Sequence, residues 1–338
     1  NSWWAHSNNE KERPYVRRKE MNLKTKVFTL SSMWLLAGVL SACSPSSDEE
    51  TATTTNSTTS STSTHTVTDT LGHKVDIPNA PKRIIGSYLE NYLISLGEKP
   101  IAQWTVGSGS IQDYLQDDLK DVPTISYDLP YEKVLSFEPD LLLISSSATV
   151  EGGKYEQYSK IAPTYVVKNG TDVTWEEQLK DVGKALAKEK EAEKVISDYQ
   201  KSVESTREEL ADKIENKTAA VLWVTNNSAF MVSKNRSSGI IVYDDLKFGV
   251  PDLVEEVSKE ATSDWSAVSS EKLAELDADY IILVNSDKDA AMFNEPSWKN
   301  LKAVKDNHVL QFGPESSWLY NGPIASQEMV NDIKEKLN

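Results

Sequence analysis

Cysteine is almost absent from this chain of 338 residues, which contains only Cys43. One cysteine cannot form an internal disulfide, and this excludes the small secreted domains that disulfides hold together. Histidine is also scarce, and its four residues are scattered through the sequence: His6, His65, His73 and His308. No paired-histidine metal motif can be written, so we expect no metal site. We expect His73 and His308 to be solvated structural residues.

Sequence motifs of catalysis are missing as well. The chain has no Gly-x-Ser-x-Gly nucleophile motif, and the glycine-serine stretch 107–110 has no neighbouring histidine. It has no glycine-rich loop that could hold a nucleotide phosphate, so we expect this chain not to bind ATP itself. Adjacent glutamates occur on predicted helices, where a solvated face is the usual explanation. We therefore expect a binding protein rather than an enzyme.

One hydrophobic run indicates a targeting segment, and it is too short to span a membrane. It covers residues 27–39, follows Lys24 and Lys26, and is followed by Leu-Ser-Ala just before Cys43. This layout resembles a bacterial lipoprotein signal peptide over residues 21–42, with Cys43 as the lipidated residue. A plain signal peptide with an incidental cysteine is the alternative. Residues 1–20 contain no Met, and we interpret them as an upstream extension that is not native.

Positive charge is deficient after residue 42. The whole chain has a formal net charge of −16, and residues 1–42 hold seven basic and three acidic side chains, so the remainder carries about −20. Such an acidic surface repels nucleic acid and anionic lipid headgroups. We expect no nucleic-acid partner, and membrane attachment through the lipid alone. Residues 43–65, which are nearly all Ser, Thr and acidic, are predicted to form a flexible tether.

The chain does contain short β-branched runs that alternate with amphipathic stretches. Between residues 66 and 188, strands are predicted at 83–86, 101–104, 124–127, 141–145 and 165–167, and helices at 88–96, 131–137 and 155–161. Between 217 and 338, strands are predicted at 219–224, 230–232, 280–284 and 309–312, and helices at 241–246, 269–276 and 324–337. Such alternation is typical of mostly parallel sheets. We predict two α/β lobes, with the cleft between them as the default ligand site.

The segment 175–216 has no proline and one glycine, and it is predicted to form a short helix followed by a long one. Apolar residues in the long helix recur at steps of three, four or seven: Ala192, Val195, Ile196, Tyr199, Val203, Leu210 and Ile214. At 1.5 Å per residue, 189–214 would measure roughly 39 Å. We interpret residues 189–216 as a helix that joins the lobes. An ordinary amphipathic surface helix is the alternative.

Six segments between residue 67 and the C-terminus carry a family resemblance. They are VTDTLGHKVDIPNAPKRIIGSYLENYLISLGEKPIAQW at 67–104, FEPDLLLISS at 137–146, YSKIAPTYVV at 158–167, WSAVSSEKLAELDADYIILV at 265–284, WKNLKAVKDNHV at 298–309 and SWLYNGPIAS at 317–326. In order and spacing they resemble the iron-siderophore and vitamin B12 class of ABC-transporter substrate-binding proteins. This implies a class III periplasmic-binding-protein-like fold, in which a single long interdomain helix joins two α/β lobes.

The resemblance also implies a function. The protein is expected on the extracytoplasmic face of a Gram-positive cell membrane, held by its lipid, where it captures a ferric siderophore and delivers it to an ABC permease with its ATPase. Iron would enter inside the siderophore, so no cofactor is required. The hydroxamate type is favoured, with ferric citrate, haem and cobalamin as alternative ligands. An alternative from a different functional class is a surface hydrolase or an adhesin on the same fold.

A bound ferric siderophore would be gripped from outside, which suits aromatic rings and cationic hydrogen-bond donors. Candidates lie in loops that enter the cleft: Tyr88, Trp104, Lys234, Arg236, Trp318 and Tyr320, with Glu90 beside the first of them. Relatives place a Trp where this chain has Asn235. Arg236 is our preferred residue for charge recognition, and core packing or a surface ion pair is the alternative for these residues. Trp223 and Trp265 are expected in the core.

Relatives of this class commonly dock to the permease through one exposed glutamate on each lobe. By position, the candidates are Glu156 in lobe one and Glu255 or Glu256 in lobe two. An ordinary exposed acid is the alternative at each position. The sequence has no repeat or coiled-coil pattern, so we expect a monomer.

Overall fold

In the computed structural model, residues 63–107 and 109–338 are described. The predicted signal peptide, the lipidated Cys43 and nearly all of the predicted tether therefore lie outside the described residues. The first strand begins at Thr64, two residues before the predicted start of lobe one. Within the described ranges, no helix is both long enough and apolar enough to cross a membrane.

Lobe one is built on short strands. A hairpin of β1 and β2 precedes a parallel sheet with the order β3-β6-β7, and β4 pairs in parallel with β5. The bounds are β1 Thr64–Thr68, β2 Lys74–Pro78, β3 Ile84–Ser87, β4 Gln103–Trp104, β5 Thr124–Ile125, β6 Leu141–Ile144 and β7 Thr164–Val166. Strands β3, β6 and β7 are buried throughout, and the central strand β6 is accordingly a continuous apolar run, Leu-Leu-Leu-Ile. The five strands predicted here are confirmed, and the hairpin was not predicted.

The helices of lobe one are α1 Glu90–Ser95, α2 Gln116–Leu119, α3 Tyr131–Ser136, α4 Lys154–Ser159 and α5 Trp175–Ala185. Helix α5 starts with a capping box, because the Thr174 hydroxyl accepts from the Glu177 amide (3.2 Å) and the Glu177 carboxylate accepts from the Thr174 amide (3.0 Å). Its apolar face packs on the next helix so closely that a Cβ on Gly183 would lie 2.9 Å from the Cβ of Ala192.

Helix α6, Glu189–Glu209, follows lobe one and leads into lobe two. Its 21 residues span about 31 Å. The buried stripe predicted from the sequence is present, and it includes Ala192, Ile196, Tyr199 and Val203. The helix is shorter than the predicted 189–216, because the backbone leaves the helical region at Leu210 (φ −104°, ψ 21°) and a separate turn, α7 Ala211–Ile214, follows.

Lobe two is organised around a mixed sheet of five strands in the order β10-β9-β8-β11-β12. Strands β8, β11 and β12 are parallel, while β9 is antiparallel to both β8 and β10. The bounds are β8 Ala219–Thr225, β9 Ser228–Val232, β10 Trp265–Val268, β11 Tyr280–Asn285 and β12 Val309–Phe312. The four predicted strands are confirmed, and β10 was missed. Trp223 and Trp265 are buried in the core, as predicted.

Helical segments cover this sheet. They are a π-helical turn at Ile240–Asp245, then α8 Asp252–Lys259, α9 Ser270–Leu273, α10 Pro296–Lys299, α11 Lys302–Lys305 and α12 Pro323–Leu337. Helix α12 lies along α6, where Gln327 donates to the Ser202 hydroxyl (2.8 Å) and Lys334 pairs with Glu209 (2.5 Å). The first turn of α12 reaches α1 of lobe one. The chain thus crosses between the two sheets through α6, and α12 adds a noncovalent link beside it.

Candidate functional site

Tyr88 follows directly after β3, and its backbone is left-handed (φ 59°). That conformation costs a tyrosine roughly 1–3 kcal/mol, and such strain is concentrated at functional sites. The Tyr88 ring lies 4.6 Å from the ring of Trp104, at the end of β4, and 6.4 Å from the ring of Tyr320 in lobe two. The carboxyl end of a parallel strand therefore presents an aromatic side chain between the lobes, where ligands of open α/β sheets bind.

Tyr114 completes this group, because its ring lies 4.9 Å from that of Tyr320. We call Tyr88, Trp104, Tyr114 and Tyr320 the aromatic cluster. Three of its members come from lobe one and one from lobe two. Tyr88, Trp104 and Tyr320 are among the ligand-binding residues predicted from the sequence. Tyr114 is not, because it is a lone aromatic residue in a polar stretch without a motif. The structure thus brings together three of the six predicted ligand-binding residues.

Glu90, the first residue of α1, is completely buried beside the cluster. Its carboxylate accepts from the backbone amide of Trp104 (2.6 Å) and from the side-chain amide of Gln112 (3.0 Å). Burial raises the pKa of Glu90 to about 7, although these two hydrogen bonds favour the ionised form. Glu90 therefore fixes the end of the strand that carries Trp104. It also places a carboxyl group with a pKa near 7 beside the aromatic cluster.

Asn91 connects the cluster to lobe two. Its side-chain amide donates to the Tyr114 hydroxyl (2.8 Å) and to the Asn321 carbonyl (3.2 Å), and its side-chain oxygen accepts from the Ile324 amide (2.7 Å). Gly322 has a φ of +126° at this point, and a Cβ there would lie 2.7 Å from the amide nitrogen of Asn91. The contact therefore requires glycine, and it ties the start of α12 to α1.

The loop 233–239 of lobe two presents Arg236. It is closed by hydrogen bonds from the Arg236 amide to the Ser233 carbonyl (3.3 Å) and from the Gly239 amide to the Arg236 carbonyl (2.9 Å), and a Cβ on Gly239 would collide with the Ser233 carbonyl. The guanidinium lies 4.0 Å from the Asp264 carboxylate and makes no hydrogen bond within the described part of the chain. Its donors are therefore available to a ligand.

Asp264 relates this loop to the aromatic cluster. Burial raises the pKa of Asp264, and the positive charge of Arg236 opposes that shift. Burial also raises the pKa of Tyr88, and the nearby groups Tyr320, Glu90 and Asp264 raise it further. The Asp264 carboxylate thus lies close enough to Tyr88 for its charge to act on the hydroxyl, and Arg236 is its neighbour at 4.0 Å.

Lys234 and Trp318 have other contacts. The ammonium of Lys234 pairs with both carboxylate oxygens of Glu255 (2.8 and 2.7 Å), so this cation is compensated within lobe two. Trp318 is fully buried, its indole N–H donates to Asp332 (2.9 Å), and its ring stacks on Phe312 (5.3 Å). Trp318 therefore packs in the core rather than lining the cleft, because the 3₁₀ turn Ser317–Leu319 directs it inward.

The three glutamates expected at the permease interface lie on helices. Glu156 is exposed in the first turn of α4. Glu255 is partly buried through its pair with Lys234, whereas Glu256 is exposed and pairs with Lys272 (2.9 Å). In residues 63–107 and 109–338, no three His, Cys, Asp or Glu side chains converge on a point that could hold a metal ion.

Two curated proteins with similar sequences come from Bacillus subtilis. The iron(3+)-hydroxamate-binding protein is 27% identical over 271 residues, which cover 78% of this chain and 83% of that protein. A probable siderophore-binding lipoprotein is 29% identical over 329 residues, which cover 92% of this chain and 98% of that protein. Both alignments extend over most of each partner.

Solved structures share the fold. The structure of Staphylococcus aureus SirA complexed with staphyloferrin B superposes with a TM-score of 0.65 at 28% identity, and the match covers 81% of this chain and 98% of that one. The model of the family described as "periplasmic binding protein" matches residues 100–315, more than half of the chain. With its two α/β lobes and long connecting helix, this chain belongs to the periplasmic binding protein family.

Proposed function

We propose that this protein binds a ferric siderophore, with the hydroxamate type favoured, in the cleft between its lobes and delivers it to an ABC permease. The observation that carries the proposal is the aromatic cluster, because both lobes contribute rings to it. Lobe two also supplies Arg236, whose guanidinium makes no hydrogen bond within the described residues. The names of similar proteins support the same ligand class, since one binds iron(3+) hydroxamates and another is a probable siderophore-binding lipoprotein.

The chemistry of the cleft suits this ligand. Iron in a siderophore is already coordinated by the siderophore's oxygens, so the protein contacts only the outside of the complex. Aromatic faces pack against its flat surfaces, and the guanidinium of Arg236 donates to its oxygens. Binding is reversible and involves no catalysis, in keeping with a family of solute-binding proteins. Iron is therefore cargo, and no protein side chain needs to coordinate it.

Delivery requires a membrane partner and an anchor. For the permease interface, Glu156 on lobe one and Glu256 on lobe two are the better candidates, because both are exposed, whereas Glu255 is partly buried; Glu256 would have to exchange its pair with Lys272 for the permease. An ion pair there would mainly set orientation and association rate. Lipidation at Cys43, followed by the tether 43–65, would hold the body at the extracytoplasmic face of the membrane. The name of the lipoprotein relative supports this location.

Tryptophan fluorescence tests the proposal, because Trp104 lies in the cluster and its emission should be quenched by a bound ferric complex. The folded body, starting at residue 63, is titrated with ferric hydroxamates, ferric catecholates, ferric citrate, haem and cobalamin. We expect saturable quenching with submicromolar affinity for one class of ferric siderophore. Flat titrations across the panel, from protein with a cooperative thermal transition, would reject the proposal and favour a hydrolase or adhesin.

A further inference from the structure

Negative charge predominates around the aromatic cluster. Glu90 is completely buried next to it, and neither a lysine nor an arginine pairs with its carboxylate in the described part of the chain. Both of its oxygens instead accept from neutral amides, those of Trp104 and Gln112. A buried carboxylate without a counter-ion is unfavourable. Its charge therefore calls for an explanation beyond packing.

The positive charges near the cleft are compensated. Arg236 lies 4.0 Å from Asp264, and Lys234 is paired with Glu255. After these pairs are counted, Glu90 is the buried uncompensated group at the cluster, and the exposed Asp113 adds negative charge near Tyr320. The negative charge of Glu90 acts on two rings of the cluster. Burial is the main cause of the raised pKa values of Tyr88 and Tyr114, and the charge of Glu90 raises both pKa values further.

The hydrogen bonds of Glu90 do not themselves require a carboxylate. A glutamine side chain could accept from the Trp104 amide through its oxygen. Its amide nitrogen could then donate to Gln112, provided that the Gln112 amide turned over to present its oxygen, which would give up the long hydrogen bond (3.4 Å) that this oxygen accepts from the Tyr114 hydroxyl. A neutral residue of the same shape would thus satisfy the same partners without burying a charge. What the carboxylate adds at this position is its negative charge, held beside a cleft that we propose binds metal complexes.

We propose that Glu90 determines specificity by charge, so that the cleft favours ferric complexes of zero or positive net charge and disfavours polyanionic ones. This inference rests on the proposed function, and it narrows the ligand to uncharged or cationic complexes such as trihydroxamates. Glu90 acts through the electrostatic potential at the rings and not by touching the ligand. A unit charge at about 10 Å in a medium with an effective dielectric constant of about 20 changes affinity roughly tenfold.

The test uses one iron core with three charges. A linear ferric trihydroxamate with a pendant ammonium is +1, its N-acetyl derivative is neutral, and its N-succinyl derivative is −1. Dissociation constants are measured at pH 8 and low salt, where Glu90 is ionised and screening is weak. For the wild type we expect affinity to fall by roughly tenfold for each unit of charge, and so by about 100-fold from the cationic to the anionic complex.

Glu90→Gln should flatten this series, while Glu193→Gln, the same change at an exposed site on α6, should leave it unchanged. If Glu90→Gln does not fold, the wild-type series is repeated at pH 6, where Glu90 holds a proton and the slope should flatten. An equal slope in wild type and Glu90→Gln, or in wild type at pH 8 and pH 6, would overturn the inference while leaving siderophore binding intact. Failure of the wild type to bind any of the three complexes would instead count against the proposed function itself.

Discussion

Replacing Arg236 with alanine is the most direct test of the lobe-two side of the cleft. The guanidinium makes no hydrogen bond within residues 63–107 and 109–338, and its neighbour Asp264 is 4.0 Å away, so its donors are free to meet ligand oxygens. A hydrogen bond from a charged donor contributes roughly 1.5–3 kcal/mol. Loss of one such bond should raise the dissociation constant of a ferric trihydroxamate by about 10- to 150-fold.

Part of that loss would come from Asp264 rather than from the ligand contact. Arg236→Ala leaves the Asp264 carboxylate without its neighbouring cation, and this adds negative potential to the cleft. The double variant Arg236→Ala with Asp264→Asn removes both charges. If the double variant binds a neutral complex as weakly as the single one does, the missing contact explains the loss. If it recovers most of the affinity, the exposed carboxylate explains it.

Fluorescence titration of these variants is compared with Arg207→Ala, which removes an arginine exposed on α6 and should bind as the wild type does. Thermal unfolding confirms that each variant is folded. An Arg236→Ala protein whose affinity matches those of the wild type and Arg207→Ala would refute the assignment of Arg236 to the site. The aromatic cluster would then have to bind the ligand without this donor.

Three further predictions concern stability. Trp318→Phe should lower the free energy of unfolding by roughly 1–3 kcal/mol, because it deletes the hydrogen bond from the indole to Asp332. Ligand affinity should stay within twofold of the wild type. Weaker binding without a loss of stability would instead indicate that Trp318 contacts the ligand. Gly322→Ala should destabilise the protein more than Gly109→Ala in thermal unfolding. The two glycines have similar φ values (+126° and +122°), but only the Cβ added at position 322 collides with Asn91. Equal losses of stability would contradict a role for the collision. The free energy of unfolding of the wild type, measured with a denaturant, should fall as the pH rises from about 4.5 to 7. The contribution of Glu90 is up to about 3 kcal/mol, because its raised pKa makes the native state hold a proton that the unfolded chain releases in this range. Glu90→Gln should make that slope shallower without abolishing it, because burial also raises the pKa of Glu328 to about 7, and an unchanged slope would assign it to Glu328 and other groups.

The sequence predicted those features that depend on neighbours along the chain. Strands such as β6 and β11 were found because burial on both faces leaves an uninterrupted apolar run, and α6 was found from its periodic stripe. The end of α6 at Leu210 was not predicted, since an apolar residue at a helical spacing gives no sign of a break.

The candidate site was predicted only in part, because its geometry depends on contacts between distant residues. Trp318 and Tyr320 are two positions apart, and composition alone gave both the same role. The turn at Ser317–Leu319 buries the first against Phe312 and places the second beside Tyr88 and Tyr114. Tyr114 itself lies more than 200 residues from its partner, and no local pattern relates the two.

The link between Asn91 and the start of α12 constrains how the cleft can open. Asn91 binds both Tyr114 and the backbone at Asn321 and Ile324, so one side of the cluster is fastened across the lobes. The Arg236–Asp264 pair adds no such link, because both residues belong to lobe two. We expect an opening that preserves the Asn91 hydrogen bonds to pivot near α1, so that Tyr114 and Tyr320 keep their spacing while contacts between the lobes farther from α1 separate.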